Sequence, residues 1–119
     1  MKKDNVIQEK SYDFALRVVK LYRHLVDKEK EYVLAKQVLR SGTSIGANVE
    51  EGIGAQSHKD FLSKMAIAYK EARETHYWLR LLRDSGYLDT KLSESLLSDC
   101  DELLRIIGSI QKTLKSRNS

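Results

Sequence analysis

The clearest pattern in this chain lies in residues 96–114, LLSDCDELLRIIGSIQKTL. Its apolar side chains recur at alternating four- and three-residue steps, at Leu96, Cys100, Leu103, Ile107, Ile110 and Leu114. This spacing places them along one side of an α-helix, as in a coiled coil or a helical bundle. The segment therefore predicts a long helix, over about 90–115, that packs its apolar side against other helices.

Two further helices are predicted in the first half of the chain. Apolar side chains at three- and four-residue steps predict a helix over about 5–27. A short polar turn follows, and a new helical period beginning at Tyr32 predicts a second helix over about 31–52. Its middle, SGTSIGA at 41–47, is poor in helix-forming residues, so the pattern is compatible with either a straight or a kinked helix.

A third helix is predicted between these two and the last. Ser57, followed three residues later by Asp60, is typical of a helix N-cap, and Gly86 is typical of a C-terminal stop. These signals predict a helix over about 58–85. Because the turns are short and the chain has no proline, the four helices predict an all-α fold, an antiparallel up-down-up-down four-helix bundle.

Composition excludes several classes of protein. The chain has 119 residues, of which 41% are hydrophobic and 32% are charged, a balance typical of one soluble domain over 1–119. No apolar run approaches the roughly 20 residues that a membrane helix needs, and the polar N-terminus lacks the apolar core of a secretion signal. We therefore expect a cytoplasmic protein that does not contact membranes.

The residues that most often carry catalysis in helical bundles are present in the wrong pattern. Di-iron sites need Glu-x-x-His pairs, and none of His24, His58 and His76 has a glutamate three residues before it. Glu71 and Glu74 lie one helical turn apart, but such pairs on charged helices are more often solvated or ion-paired than catalytic. The sequence predicts no metal site.

The lone cysteine gives no stronger indication of an enzyme. Cys100 lies on the apolar side of the last helix, where a thiol acts as a small hydrophobic group. The glycines do not form a phosphate-binding or dinucleotide-binding motif, because no strand precedes them and the spacing differs. We predict no catalytic residue, no bound cofactor and no enzymatic activity.

A polar stripe in the second helix is the least ordinary feature. Arg40, Ser44, Asn48 and Glu51 follow at four-, four- and three-residue steps beside small residues that allow another helix to approach. We predict that Asn48 and Glu51 join a buried network between helices, with Arg40 or with the third helix, because buried polar groups require partners. The alternative is an exposed, solvated stripe.

The same region resembles a known family. The runs QVLRSGTSIGANVEEG at 37–52, SHKDF at 57–61 and GYL at 86–88 resemble the bacterial four-helix bundle proteins first noted as open reading frames in 23S rRNA intervening sequences. The resemblance covers most of the chain, although Gly46 replaces a common proline and Lys70-Glu71 replaces a common Gly-Ser pair. It implies a bundle that assembles as a homopentameric ring without an assigned activity. The similar accessory variability proteins of diversity-generating retroelements bind a reverse transcriptase and nucleic acid through a basic surface.

The charges indicate where a partner would bind. The net charge of +4 is uneven, and residues 103–119 contain no acid but four bases: Arg105, Lys112, Lys115 and Arg117. Bases at the end of a helix also complement the helix dipole, which gives a purely structural alternative. In the third helix the candidates share nearly one face: Arg73, Tyr77, Arg80 and Arg83. Such residues can pair with phosphates and stack on a base, or can form an ordinary solvated face.

Self-association would use apolar residues that lie outside the internal core. In the third helix these candidates are Tyr69, Tyr77, Trp78 and Leu81. We predict a self-associating, non-enzymatic bundle that binds RNA or DNA, or a ribonucleoprotein, through its basic helix faces. The alternative is an adaptor or scaffold that binds only protein, in which the basic residues keep the bundle soluble.

Overall fold

The protein is a bundle of four helices. A computed structural model describes the backbone of residues 2–118 and the side chains of residues 6–116. The helices are α1 (Lys2–Asp27), α2 (Val33–Ile53), α3 (His58–Asp84) and α4 (Thr90–Asn118). Among the described residues each helix packs against its two neighbours in the cyclic order α1, α2, α3, α4, with no packing across the diagonal. The bundle is 48 Å long, and the predicted all-α fold is confirmed.

Local side chains set the helix ends. The Ser57 hydroxyl accepts a hydrogen bond from the backbone N–H of Asp60 at 3.0 Å, which begins α3. α2 begins two residues later than expected because the Glu31 carboxylate caps it, accepting from the backbone N–H groups of Leu34 and Ala35. After α3, Gly86 adopts a φ of +88°, which glycine tolerates without strain.

Small residues let α1 and α2 approach closely. A Cβ atom at Gly42 would lie 2.8 Å from two methyl carbons of Val18, and one at Gly46 would lie 3.3 Å from the carbonyl oxygen of Ser11. α2 therefore runs unbroken through 41–47, because the packing offsets the weak helix propensity of these glycines. Large apolar side chains from all four helices fill the interior, including Phe14, Leu25, Val38, Ile45, Met65, Leu79, Leu96 and Leu103.

None of the helices, over the part of the chain that the structure describes, combines the length and the apolarity needed to cross a membrane. The cyclic order also fixes which surfaces are adjacent. α3 and α4 share one side of the bundle, and α1 and α2 share the opposite side. The candidate binding residues on α3 and α4 therefore belong to one continuous side.

Candidate functional site

The interior offers little reactive chemistry. Cys100 is fully buried, and its thiol donates to the carbonyl oxygen of Ala72 at 3.3 Å. Burial, followed by the nearby charges of Asp101 and Asp99, raises the pKa of the Cys100 thiol to about 12, so the nucleophilic thiolate is scarce at neutral pH. No group of three or more histidine, cysteine or acidic side chains within the described residues is arranged to hold a metal ion.

A cleft of about 200 Å³ lies between α1 and α4. Arg17 on its wall donates to Asp99 at 2.6 Å and to the Ser95 hydroxyl at 3.1 Å. Lys10 lies 3.2 Å from Glu102. These charged groups neutralise one another across the two helices, so their main effect is to hold α1 against α4.

The predicted polar stripe of α2 makes three separate sets of contacts. Arg40 donates to carboxylates on α3. Glu51 also reaches α3, where it accepts from the Lys64 ammonium at 3.0 Å. Asn48 donates within α2, to the carbonyl oxygen and the hydroxyl of Ser44 at 2.9 and 3.0 Å. The structure thus does not join the four residues into one network: two connect α2 to α3, and two pair locally.

Arg40 begins a chain of contacts that crosses α3. Its guanidinium donates to Glu71 at 3.1 Å and also to Glu74. The same Glu74 oxygen accepts from the indole N–H of Trp78 at 2.9 Å. The hydrogen bond from Trp78, and then the Arg40 guanidinium, hold the pKa of Glu74 below its ordinary value. Glu74 is therefore ionised at neutral pH and fixes the indole ring.

Beyond Trp78, the same series of contacts reaches an exposed tyrosine, Tyr77. The Tyr77 side chain is 50% exposed, and its ring meets that of Trp78 edge to face, with centroids 5.1 Å apart. The Arg80 guanidinium lies over the Tyr77 ring, 5.8 Å from its centroid. Arg80 also donates to His76 Nδ1 at 3.2 Å, and His76 Nε2 lies 3.1 Å from Asp101 of α4. We call Tyr77, Trp78 and Arg80 the aromatic platform.

Exposed bases extend from one end of the aromatic platform along the side shared by α3 and α4. Arg73 and Arg105 are exposed and make no ion pair with any described residue. The contacts His76–Asp101 and Tyr69–Gly108 align the two helices. Arg73 lies between the two α3 contacts and Arg105 between the two α4 contacts, so the two residues lie at similar heights along the bundle.

The remaining sequence candidates divide into three groups. Lys112 and Lys115 are exposed and have no carboxylate partner among the described side chains. Arg83 is instead paired with Asp84 at 2.8 Å. The side chain of Arg117 lies outside the described residues. Of the four bases that the sequence pointed to near the C-terminus, three therefore have side chains that the structure describes.

Lys70 is a base that the sequence analysis missed. It is exposed and has no ion-pair partner among the described residues. Its position three residues before Arg73 continues the spacing of Arg73, Tyr77 and Arg80, and that spacing was the available signal. Together with four sequence candidates it makes up what we call the basic face: Lys70, Arg73, Arg105, Lys112 and Lys115, all exposed and without an ion pair among the described side chains.

The predicted interface residues differ in exposure. Tyr77 is the exposed one, and the other three are half-buried: Tyr69, Trp78 and Leu81. Tyr69 and Trp78 pack against the protein's own core. On the opposite side of the bundle, α1 exposes 62% of Tyr12 and 50% of Leu16. An apolar cleft of about 260 Å³ between α1 and α2 adjoins Tyr12. These α1 residues were not among the sequence candidates.

Comparison with known proteins places this architecture in a family. Residues 3–109 match the family described as 23S rRNA-intervening sequence protein. The chain belongs to that family. A crystal structure of a protein with unknown function from the S23 ribosomal protein family of Bacteroides thetaiotaomicron VPI-5482 has a TM-score of 0.91 and 51% sequence identity, covering 92% of this chain and 98% of that chain. No curated protein matches the chain.

The family assignment divides the basic face. Lys70, Arg73 and Arg105 lie within the segment that matches the 23S rRNA-intervening sequence protein family, whereas Lys112 and Lys115 lie beyond its last matched residue. The similar crystal structure is itself of a protein with unknown function. The comparisons therefore establish the family and the fold but indicate no activity, so the function has to be inferred from the side chains of this protein.

Proposed function

We propose that this protein is a cytoplasmic, non-enzymatic accessory protein that binds RNA or DNA, free or within a ribonucleoprotein, through the basic face. One observation carries the proposal: Arg73 and Arg105 are both exposed and unpaired at similar heights on adjacent helices. On the other two helices Arg17 and Arg40 bind carboxylates, and Arg23 is the one exposed arginine there without an ion pair among the described side chains. Free guanidiniums on one side are suited to pair with phosphates, which they contact in a bidentate manner.

Electrostatics favours a nucleic-acid backbone over a single small anion. Phosphates recur along a nucleic acid, and each neutralised phosphate releases condensed counterions. The basic face offers cations on two adjacent antiparallel helices, and the nearby Asp101 is already engaged by His76 at 3.1 Å. Binding of this kind is independent of sequence, because phosphate contacts position a ligand without reading its bases.

Self-association is the second part of the proposal. The exposed apolar side chains Tyr12 and Leu16 on α1 provide area that the internal core does not use. We propose assembly as a ring, a homopentamer by family resemblance, in which several basic faces act together. Repeating a weak phosphate contact around a ring raises the overall affinity without any new contact.

Two features support a role without catalysis. The pKa of Cys100 is raised to about 12 by burial, which removes the thiol as a nucleophile at neutral pH. In the α1/α4 cleft, Arg17 and Lys10 are committed to Asp99 and Glu102.

Charge reversal on the basic face tests the proposal. We expect Arg73→Glu/Arg105→Glu to weaken binding of a mixed-sequence single-stranded RNA at low salt by at least about tenfold, since two phosphate contacts are replaced by repulsion. The matched control is Arg23→Glu/Lys36→Glu, which makes the same change in net charge at exposed positions on α1 and α2. Equal losses in both variants would show a response to net charge alone and would refute the basic face.

The second candidate function is an adaptor that binds only protein. The apolar cleft of about 260 Å³ beside the exposed Tyr12 favours it, because such clefts accept apolar side chains of partner proteins. Absence of any RNA or DNA binding at low ionic strength would support the adaptor. Sedimentation of a concentration-independent 13.7 kDa species would remove the proposed ring and the multiplied contacts.

A further inference from the structure

We infer that the aromatic platform stacks on an unpaired base, so that the basic face selects single-stranded over duplex nucleic acid. This inference rests on the proposed function, because it adds a base contact to the phosphate contacts of Arg73 and Arg105. It identifies the class of ligand, a flexible single strand with accessible bases. It also assigns a role to Tyr77, whose exposure the fold does not explain.

The first argument is that an exposed ring is held in place. Half of the Tyr77 side chain remains in solvent, so the ring contributes less to the core than a buried tyrosine would. Nevertheless the ring packs edge to face against Trp78, which Glu74 and Arg40 hold from the α2 side. A side chain ordered before it meets a ligand loses less conformational entropy on binding.

The second argument concerns Arg80. Its guanidinium lies over the Tyr77 ring at 5.8 Å and is also anchored to His76, which reaches Asp101 on α4. The cation therefore lies against one part of the ring, while half of the Tyr77 residue remains accessible to a ligand. An arginine and an aromatic ring together bind bases by stacking and by cation–π attraction.

The third argument comes from the position of the phosphate-binding groups. Arg73 lies one helical turn before Tyr77, and Arg105 lies at a similar height to Arg73 on α4. A strand that follows these cations would bring its bases next to the platform. In a duplex the bases stack on one another and expose only their edges in the grooves, so Tyr77 cannot stack on them without unpairing.

The test compares three probes of equal length, about 12 nucleotides: a single strand with bases, an abasic single strand, and a duplex. We expect the wild-type protein to bind the base-containing strand most tightly. Tyr77→Ala should lose about 5- to 150-fold in affinity for that strand, the range for one stacked base, and change little for the abasic strand. Tyr77→Phe, which keeps the ring, is the matched control and should retain affinity.

Trp78 provides a readout within the same experiment, because it is the single tryptophan of the chain and touches Tyr77. We expect the base-containing strand to quench its fluorescence more than the abasic strand does. Equal affinities for the base-containing and abasic strands, or no loss in Tyr77→Ala, would refute stacking while leaving the phosphate contacts intact. Failure of all three probes to bind would refute the proposed function, and the base contact with it.

Discussion

The close contact between α1 and α2 predicts different effects for one substitution at two helical glycines. A Cβ atom at Gly42 would lie 2.8 Å from two methyl carbons of the fully buried Val18, whereas one at Gly108 would meet Tyr69 at 3.7 Å. Alanine is favoured over glycine inside a helix by about 1 kcal/mol at either position. Overpacking costs about 1–3 kcal/mol, and only at Gly42. Since the propensity gain is common to both, Gly108→Ala should be more stable than Gly42→Ala by about 1–3 kcal/mol.

Urea unfolding, followed by circular dichroism at one fixed protein concentration, measures this difference. We expect Gly108→Ala to raise the free energy of unfolding. The free energy of unfolding of Gly42→Ala should be lower than that of Gly108→Ala. On a Val18→Ala background both methyl carbons are absent, so the penalty of Gly42→Ala should shrink to that of the remaining contact with the Cβ atom of residue 18 at 3.2 Å. If Gly42→Ala is as stable as Gly108→Ala, the close approach of α1 and α2 is wrong.

Three further predictions concern the interior and the platform. Thr75→Val should lower the free energy of unfolding by about 1–3 kcal/mol, because the buried Ser41 hydroxyl loses its partner at 2.9 Å; Ser41→Ala/Thr75→Val should recover part of that loss in the same unfolding assay. Cys100 should resist a thiol reagent at neutral pH until denaturant is added, and rapid labelling of the folded protein would contradict its burial and its raised pKa. Glu74→Gln should lower Tm most near neutral pH and shift the Trp78 emission. The pKa of Glu74 is lower in the folded protein than its ordinary value of 4.5. The ionised Glu74 side chain therefore stabilises the fold above pH 4.5, and this stabilisation is lost as the pH falls through the pKa of the folded protein. A Tm difference between Glu74→Gln and the wild type that does not change with pH would contradict the contacts assigned to Glu74.

Most of the fold followed from patterns within single helices. Apolar spacing and the cap at Ser57 located each helix to within a few residues, because these signals are local. The start of α2 lies two residues after the expected position, because Glu31 caps the helix from outside although its charge suggested a turn. The glycines at 41–47 left the course of α2 undecided, since the packing that keeps it helical comes from Val18 on another helix.

The candidate site was only partly accessible to the same reasoning. Spacing along α3 identified Arg73, Tyr77 and Arg80, because residues three and four apart share a helix face. The connection from Arg40 through Glu74 to Trp78 depends on how α2 and α3 are aligned, which no local pattern encodes. Because of the same alignment, Arg40 and Glu51 contact α3 whereas Asn48 contacts Ser44 within α2, so the polar stripe predicted from the sequence is not one network.

The central claim is that phosphate contacts by Arg73 and Arg105 hold a nucleic acid on the α3 and α4 side. The most direct measurement is the slope of log affinity against log salt for a single-stranded probe, in the wild-type protein and in Arg73→Gln/Arg105→Gln. Each lost phosphate contact should reduce the slope by about 0.7 for a single strand, so the double variant should be shallower by about 1.4. Identical slopes in the two proteins would contradict the claim.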